Sequence, residues 1–142
     1  MFMGEYQHSV DAKGRLIVPA KFREALGETF VVTRGLDNCL FVYSIPEWER
    51  MSKKVADLPT SKARDFQRFF FSAADTVTPD KQGRISITSP LREHANIKEA
   101  NSVAIIGMVS RVEIWNKDAW EQRRKKEMDS KSMALTMDEL GI

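Results

Sequence analysis

One motif occurs twice in this chain, and that repetition limits the possible folds more than any composition does. Asp11-Ala12-Lys13-Gly14-Arg15 is followed 69 positions later by Asp80-Lys81-Gln82-Gly83-Arg84. What comes next also keeps its character. Leu16-Ile17-Val18-Pro19 leads into Phe22-Arg23-Glu24, and Ile85-Ser86-Ile87-Thr88 leads into Leu91-Arg92-Glu93. A self-match of this length is a repeat, and two copies are too few for a solenoid. The expectation is a duplicated supersecondary unit.

Each copy describes a turn. Asp at the first position and Gly at the fourth suit a type I turn, because the carboxylate can accept a backbone N–H two residues on. Gly then takes the positive φ that hands the chain to the next strand, often through a bulge. These needs account for Asp11, Gly14, Asp80 and Gly83. They do not account for Arg15 and Arg84, nor for Lys13 and Lys81 nearby. Basic residues are common on solvated hairpin tips, and for one tip taken alone that explanation suffices. Arg at the same place in both copies points to a partner outside the turn.

Composition sets loose bounds. With 142 residues, 42% hydrophobic and 30% charged, the chain reads as one globular domain or two small halves sharing a core. Met1 to Val10 lacks the apolar run of a signal peptide, and no stretch approaches the length of a membrane span. Cys39 is the single cysteine, which suits a reducing cytoplasm and a packing role among Leu36, Leu40 and Phe41. A net charge of +2 proves no partner; placement says more. Lys13, Arg15, Lys21 and Arg23 face only Asp11 and Glu24 in the first repeat. The later run Arg123-Arg124-Lys125-Lys126 reads as a solvated helix face.

In chain order, residues 1–10 form an extended lead-in, Leu16-Ile17-Val18 a strand, and Pro19 the first position of a short helix over 20–26 that Gly27 ends. Thr29–Thr33 and Cys39–Tyr43 form a hairpin. Pro46 opens a helix to about Asp57, Pro59 breaks it, and Thr60 or Ser61 caps a second helix. Its Phe66, Phe69 and Phe70 pack either in the core or at a subunit contact. In the second unit Thr76–Thr78 and Ile85–Thr88 are strands, and Ser89 caps a helix with Pro90 first. Val103–Ile106 and Val112–Trp115 are strands around a turn at Gly107–Ser110. Asp118 caps a final helix, and Met133–Ile142, without a clear cap, is either a docking segment or frayed.

With both motifs in view, the chain resembles the MraZ family of the AbrB-like (SpoVT/AbrB) superfamily. The likeness covers residues 5–48 and 74–120, leaving 49–73 as a helical linker and 121–142 as a C-terminal helix and tail. It implies a mainly β fold with short helices, of α+β class: a duplicated swapped-hairpin barrel whose two pseudo-symmetric halves interleave within one chain. It also implies a cytoplasmic, nucleoid-associated transcriptional regulator that binds double-stranded DNA and assembles into a homo-oligomeric ring. The implied targets are repeated promoter elements ahead of the division and cell-wall gene cluster, including its own gene, with repression as the outcome. No cofactor, metal, membrane or small-molecule substrate is implied. The motif carries over Asp11 and Arg15 in the first unit, Asp80 and Arg84 in the second. The second unit departs where Gln82 stands for Lys13, Ser86 for Ile17 and Thr88 for Pro19, and its surroundings are more acidic.

The residue chemistry agrees. The planar fork of Arg15 or Arg84 can bond guanine O6 and N7 together, while Lys13, Lys81, Lys21 and Arg23 suit phosphates. Asp11, Gly14, Asp80 and Gly83 hold the turns. A hydrolase built on Asp11 and Asp80 competes poorly. His8 and His94 are the only histidines, and no HExxH, Cys-x-x-Cys, phosphate loop or nucleophile elbow is present. A ring-forming interaction scaffold with merely non-specific DNA affinity is the alternative, given the apolar surface that Trp48 and the phenylalanines offer.

Overall fold

A computed structural model describes residues 1–59, 61, 63–98 and 101–142. The first half runs β1 (Glu5–Ser9), β2 (Arg15–Ile17), α1 (Ala20–Leu26), β3 (Phe30–Arg34), β4 (Leu40–Ser44), α2 (Ile45–Ala56) and α3 (Ala63–Ser72). The second answers it with β5 (Asp75–Val77), β6 (Arg84–Ser86), α4 (Ser89–His94), β7 (Ser102–Met108), β8 (Arg111–Asn116), α5 (Lys117–Glu127) and α6 (Ser130–Leu140). The expected mixed α+β fold with two repeated halves is what the chain adopts.

The halves interleave through their strands. β1 does not fold back on β2; it pairs antiparallel with β7 of the other half, Tyr6 opposite Ile105. β5 likewise pairs with β3, Thr76 opposite Val31, and β4 meets β8 at the centre. The resulting order, β1-β7-β8-β4-β3-β5, reads the same from either end once the halves are exchanged. This sheet is open, with β1 and β5 at its edges, and does not close into a barrel. β2 and β6 form a separate two-stranded ribbon in which Arg15 faces Ser86, Leu16 faces Ile85 and Ile17 faces Arg84. Val18 N–H donates to the Gly83 carbonyl at 3.0 Å and Ile87 N–H to the Gly14 carbonyl at 2.9 Å, so each strand also ties down the opposite turn.

Alternation explains what the ribbon buries. Leu16 and Ile85 point inward and are fully enclosed, and they pack in one cluster with Val18, Phe22, Ile87 and Leu91. Successive strand residues alternate faces, so Arg15, Ile17, Arg84 and Ser86 share the other, outer face. Behind the ribbon, Phe22 meets Tyr6 edge-on at 5.2 Å between ring centroids, linking α1 to β1.

On the far side of the large sheet, Cys39, Tyr43, Phe70 and Trp115 form a second cluster under α2 and α3. Cys39 is buried and burial pushes its thiol upward, in line with packing rather than chemistry. Phe70 stacks on Trp48 at 5.1 Å, whereas Phe66 stays 37% exposed, so the phenylalanines divide between core and surface.

Several local expectations need correction. Pro19 is the N-cap of α1 and not its first residue. Thr88, without a side-chain bond, precedes α4, and Ser89 with Pro90 forms its first turn. Asn116, not Asp118, caps α5 by accepting the Ala119 N–H at 3.0 Å, as Ser44 accepts from Glu47 in α2. β7 continues through Gly107 to Met108, and the turn falls at Val109 and Ser110. The tail is a helix, capped by Asp129 through the Ser132 N–H and closed by left-handed Gly141. Thr60, one of two expected caps for α3, lies outside the described residues.

The ribbon is where the halves lock, so removing one of its buried side chains tests the arrangement. Leu16→Ala is expected to lower unfolding free energy by about 2–5 kcal/mol, the range for truncating an enclosed Leu. Urea denaturation followed by circular dichroism measures it, and a loss below about 0.5 kcal/mol would contradict the burial.

Candidate nucleic-acid interface

Asp11 and Asp80 build the two turns in the same way. Asp11 Oδ1 accepts the N–H of Lys13 and of Arg15, both at 2.9 Å, and Oδ2 accepts Arg15 Nε at 2.7 Å. Asp80 Oδ1 accepts from Gln82 and Arg84 N–H at 2.9 Å, and Oδ2 from Arg84 Nε at 2.7 Å. Gly14 at φ 74° and Gly83 at φ 80° supply the left-handed step that closes each turn. One carboxylate therefore shapes the turn and aims the arginine that follows it.

Both guanidinium groups are held by one edge. Nε is taken by the aspartate, and among the described residues neither Nη of Arg15 or Arg84 meets a hydrogen-bond partner. Each side chain keeps 27% of its surface in solvent. A half-exposed ion pair of this kind adds little stability, so its main effect is orientation. Both arginines stand on the ribbon's outer face, and they share the lining of one shallow hollow of about 270 Å³ with Asp75, Thr76, Asp80 and Ser86.

The other expected site residues are distributed less evenly. Lys13 and Lys81 are exposed in the two turns, and Lys21 is exposed near the start of α1. Arg23 also braces the fold. It donates Nε to the Val18 carbonyl at 2.9 Å and lays its guanidinium over Gly83, in the opposite half's turn. Arg92 does the same over Gly14 and donates to Ser89 Oγ at 3.1 Å. A side chain at either glycine would collide with that guanidinium, which is a second reason for Gly there. Arg92 is not among the expected site residues, and its signal in the sequence is recurrence at the spacing of Arg23. Nor are Ile17 and Ser86, which complete the ribbon's outer face. Arg123 pairs with Asp37 at 3.3 Å, and the rest of its basic run stays exposed on α5.

No group of three or more His, Cys, Asp or Glu side chains among the described residues could hold a metal ion. Among those residues no helix is long and apolar enough to cross a membrane. Two arginines, related by the internal symmetry and held alike by aspartates, share one face of the ribbon, so the surface is of duplicated type. A family model described as MraZ protein, antitoxin-like in character, matches residues 1–69 and again residues 70–140. Relatives named Transcriptional regulator MraZ are 54% identical in Acetivibrio thermocellus and 51% in Caldanaerobacter subterraneus, over 145 aligned positions covering all of both chains. One from Clostridium tetani is 48% identical over 144, again end to end. The chain belongs to the MraZ family, and the AbrB-like superfamily is consistent with that membership.

The turn carboxylates give the fold an acid-sensitive element. The backbone N–H of Arg15 most strongly lowers the Asp11 pKa, against partial desolvation, with the Arg15 side chain adding to it; Arg84 acts likewise on Asp80. A carboxyl with a depressed folded pKa contributes stability that is present above its unfolded pKa and disappears as pH falls through the folded one. Stability is therefore expected to fall on acidification below about pH 5, and Asp11→Asn to flatten that slope. Denaturant titrations across this range check it; parallel slopes for wild type and variant would remove the role assigned to Asp11.

Proposed function

We propose that the chain is a transcriptional regulator that recognises double-stranded DNA through the outer face of the β2–β6 ribbon. The observation that carries this reading is the pair of aspartate-held arginines, related by the internal symmetry, that stand together on that face with only Nε bonded. A major groove about 12 Å wide admits a two-stranded ribbon, whose strands lie about 4.8 Å apart. In this reading Arg15 and Arg84 bond guanine edges, and Lys13, Lys81 and Lys21 bind phosphates on either side. Arg23, with Arg92, belongs to the fold. The units 5–48 and 74–120 act as the two halves of one reading head, joined by 49–73, with 121–142 outside it. The chain does no catalysis; family membership supports a regulator.

The wider claims come from the same family likeness: a cytoplasmic, nucleoid-associated repressor acting on repeated promoter elements ahead of the division and cell-wall genes and its own gene. One ribbon makes few contacts, so useful affinity calls for several linked copies, and a homo-oligomeric ring would present them to spaced repeats. The exposed stripe Met133, Met137 and Leu140 on α6 supports self-association, and also favours the alternative of a scaffold with non-specific DNA affinity.

Fluorescence anisotropy on the upstream DNA of its own gene, against scrambled DNA of equal length, separates the two. Arg15→Ala and Arg84→Ala are each expected to weaken specific binding by roughly tenfold to a hundredfold, and Lys13→Ala to lower the salt slope by about one. Equal, weak binding to both duplexes with no effect of either arginine would favour the scaffold.

A further inference from the structure

The ribbon's outer face has four residues, and its internal symmetry holds along only one diagonal. The pseudo-twofold axis passes between the paired Leu16 and Ile85. It exchanges Arg15 with Arg84, identical residues held identically. It also exchanges Ile17 with Ser86, which are unlike. Ile17 is 41% exposed, opposite Arg84 in register, and Ser86 is exposed opposite Arg15. The turn aspartates, glycines and covering arginines all obey the symmetry, and the buried pair keeps its apolar character; on the ribbon's outer face this diagonal departs from it, as the exposed Ala12-Lys13 and Lys81-Gln82 do in the turns.

An apolar side chain here is not required by the fold. The inward residues Leu16 and Ile85 supply the ribbon's burial, and Ser86 serves at the equivalent position of the other strand. A β-branched residue favours a strand, but β6 takes Ser86 at the equivalent position. The chemistry that Ile17 offers between two guanidinium groups is a small apolar contact. In the major groove the apolar feature a base pair presents is the C5-methyl group of thymine.

Building on the DNA-reading ribbon above, we propose that Ile17 reads a thymine methyl group and thereby fixes the direction in which the chain sits on DNA. The two arginines alone are related by a twofold axis, as a duplex backbone is, and would accept a site in either orientation. Ile17 on one side and Ser86 on the other remove that ambiguity at the base edges, while Lys13 and Gln82 differ only in the flanking turns. Each bound chain then has a polarity, and successive copies on repeated elements face the same way. Ile17 is a specificity-determining residue, and Ser86 occupies the place where a second methyl contact is absent.

The test uses the full chain and removal of a single methyl group. Sites are selected from a randomised duplex pool with wild type, and each thymine is then replaced by deoxyuridine in turn. One thymine in each bound element is expected to be methyl-sensitive, losing roughly threefold to tenfold in affinity for wild type, with Ile17→Ser insensitive and Ile17→Val still sensitive. Ser86→Ile, which makes the diagonals alike, is expected to select thymine at both symmetry-related positions. If wild type selects a sequence and depends on Arg15, yet no thymine differs between wild type and Ile17→Ser, the proposal is overturned while the DNA reading stands. If wild type selects no sequence, the DNA reading fails and takes this assignment with it. Circular dichroism and size-exclusion profiles matching wild type establish that Ile17→Ser is folded.

Discussion

The contact between Leu16 and Ile85 is the constraint on which the rest of the molecule depends. These two side chains are fully enclosed, come from different halves, and face each other across a ribbon only three residues long on each side. Three-residue strands have little intrinsic stability in isolation. They persist here because their inner side is roofed by the shared core and their ends are pinned by bonds to the opposite turns. Ordering that inner side places the outer side by geometry alone, since strand residues alternate. The rigidity of Arg15 and Arg84 is thus derived from hydrophobic burial one residue away.

A second layer of order comes from the turns. Each aspartate spends three acceptor interactions on a single short segment. Each glycine provides the room in which an arginine from the opposite half can lie flat. The two halves therefore support each other's turns reciprocally. An arginine that looks, in sequence, like one more positive charge near the motif turns out to brace the motif's twin. Position separates the neighbouring basic residues: Arg15 and Arg84 stand on the ribbon's outer face, while Arg23 and Arg92 each lie over a glycine of the opposite half.

Much of this was legible in the residues. Duplication, the turn chemistry of Asp11 and Gly14 with their repeats, the short strands and most helices follow from local patterns of 2.0 and 3.6 residues. The interleaving of halves was reached through family likeness, because which strand pairs with which is a long-range matter that Glu5–Ser9 does not encode locally. Caps went astray by one or two residues where two candidates adjoin: Asn116 stands before Asp118, and Pro90 is accepted at the second helical position, shifting the boundary to Thr88. The α6 helix was obscured because its apolar residues bury nothing in the chain itself, so no amphipathic face was matched by a core. Single-sequence reasoning sees the charge of Arg23 but not its contact with Gly83 of the other half.

The palindromic strand order has a consequence for synthesis. β1 leaves the ribosome first, yet the strand it needs, β7, begins only at Ser102. At about 5–20 residues per second the nascent chain spends roughly 5–20 s with that edge unsatisfied. The first half cannot complete itself in the meantime, because its ribbon strand and its β3 edge also wait for partners made later. A chain of modest length thus behaves as one late-closing cooperative unit. Its vulnerable period is measured in translation time, and a stall in the middle of the message would hold open the surfaces most able to pair with a neighbouring nascent copy.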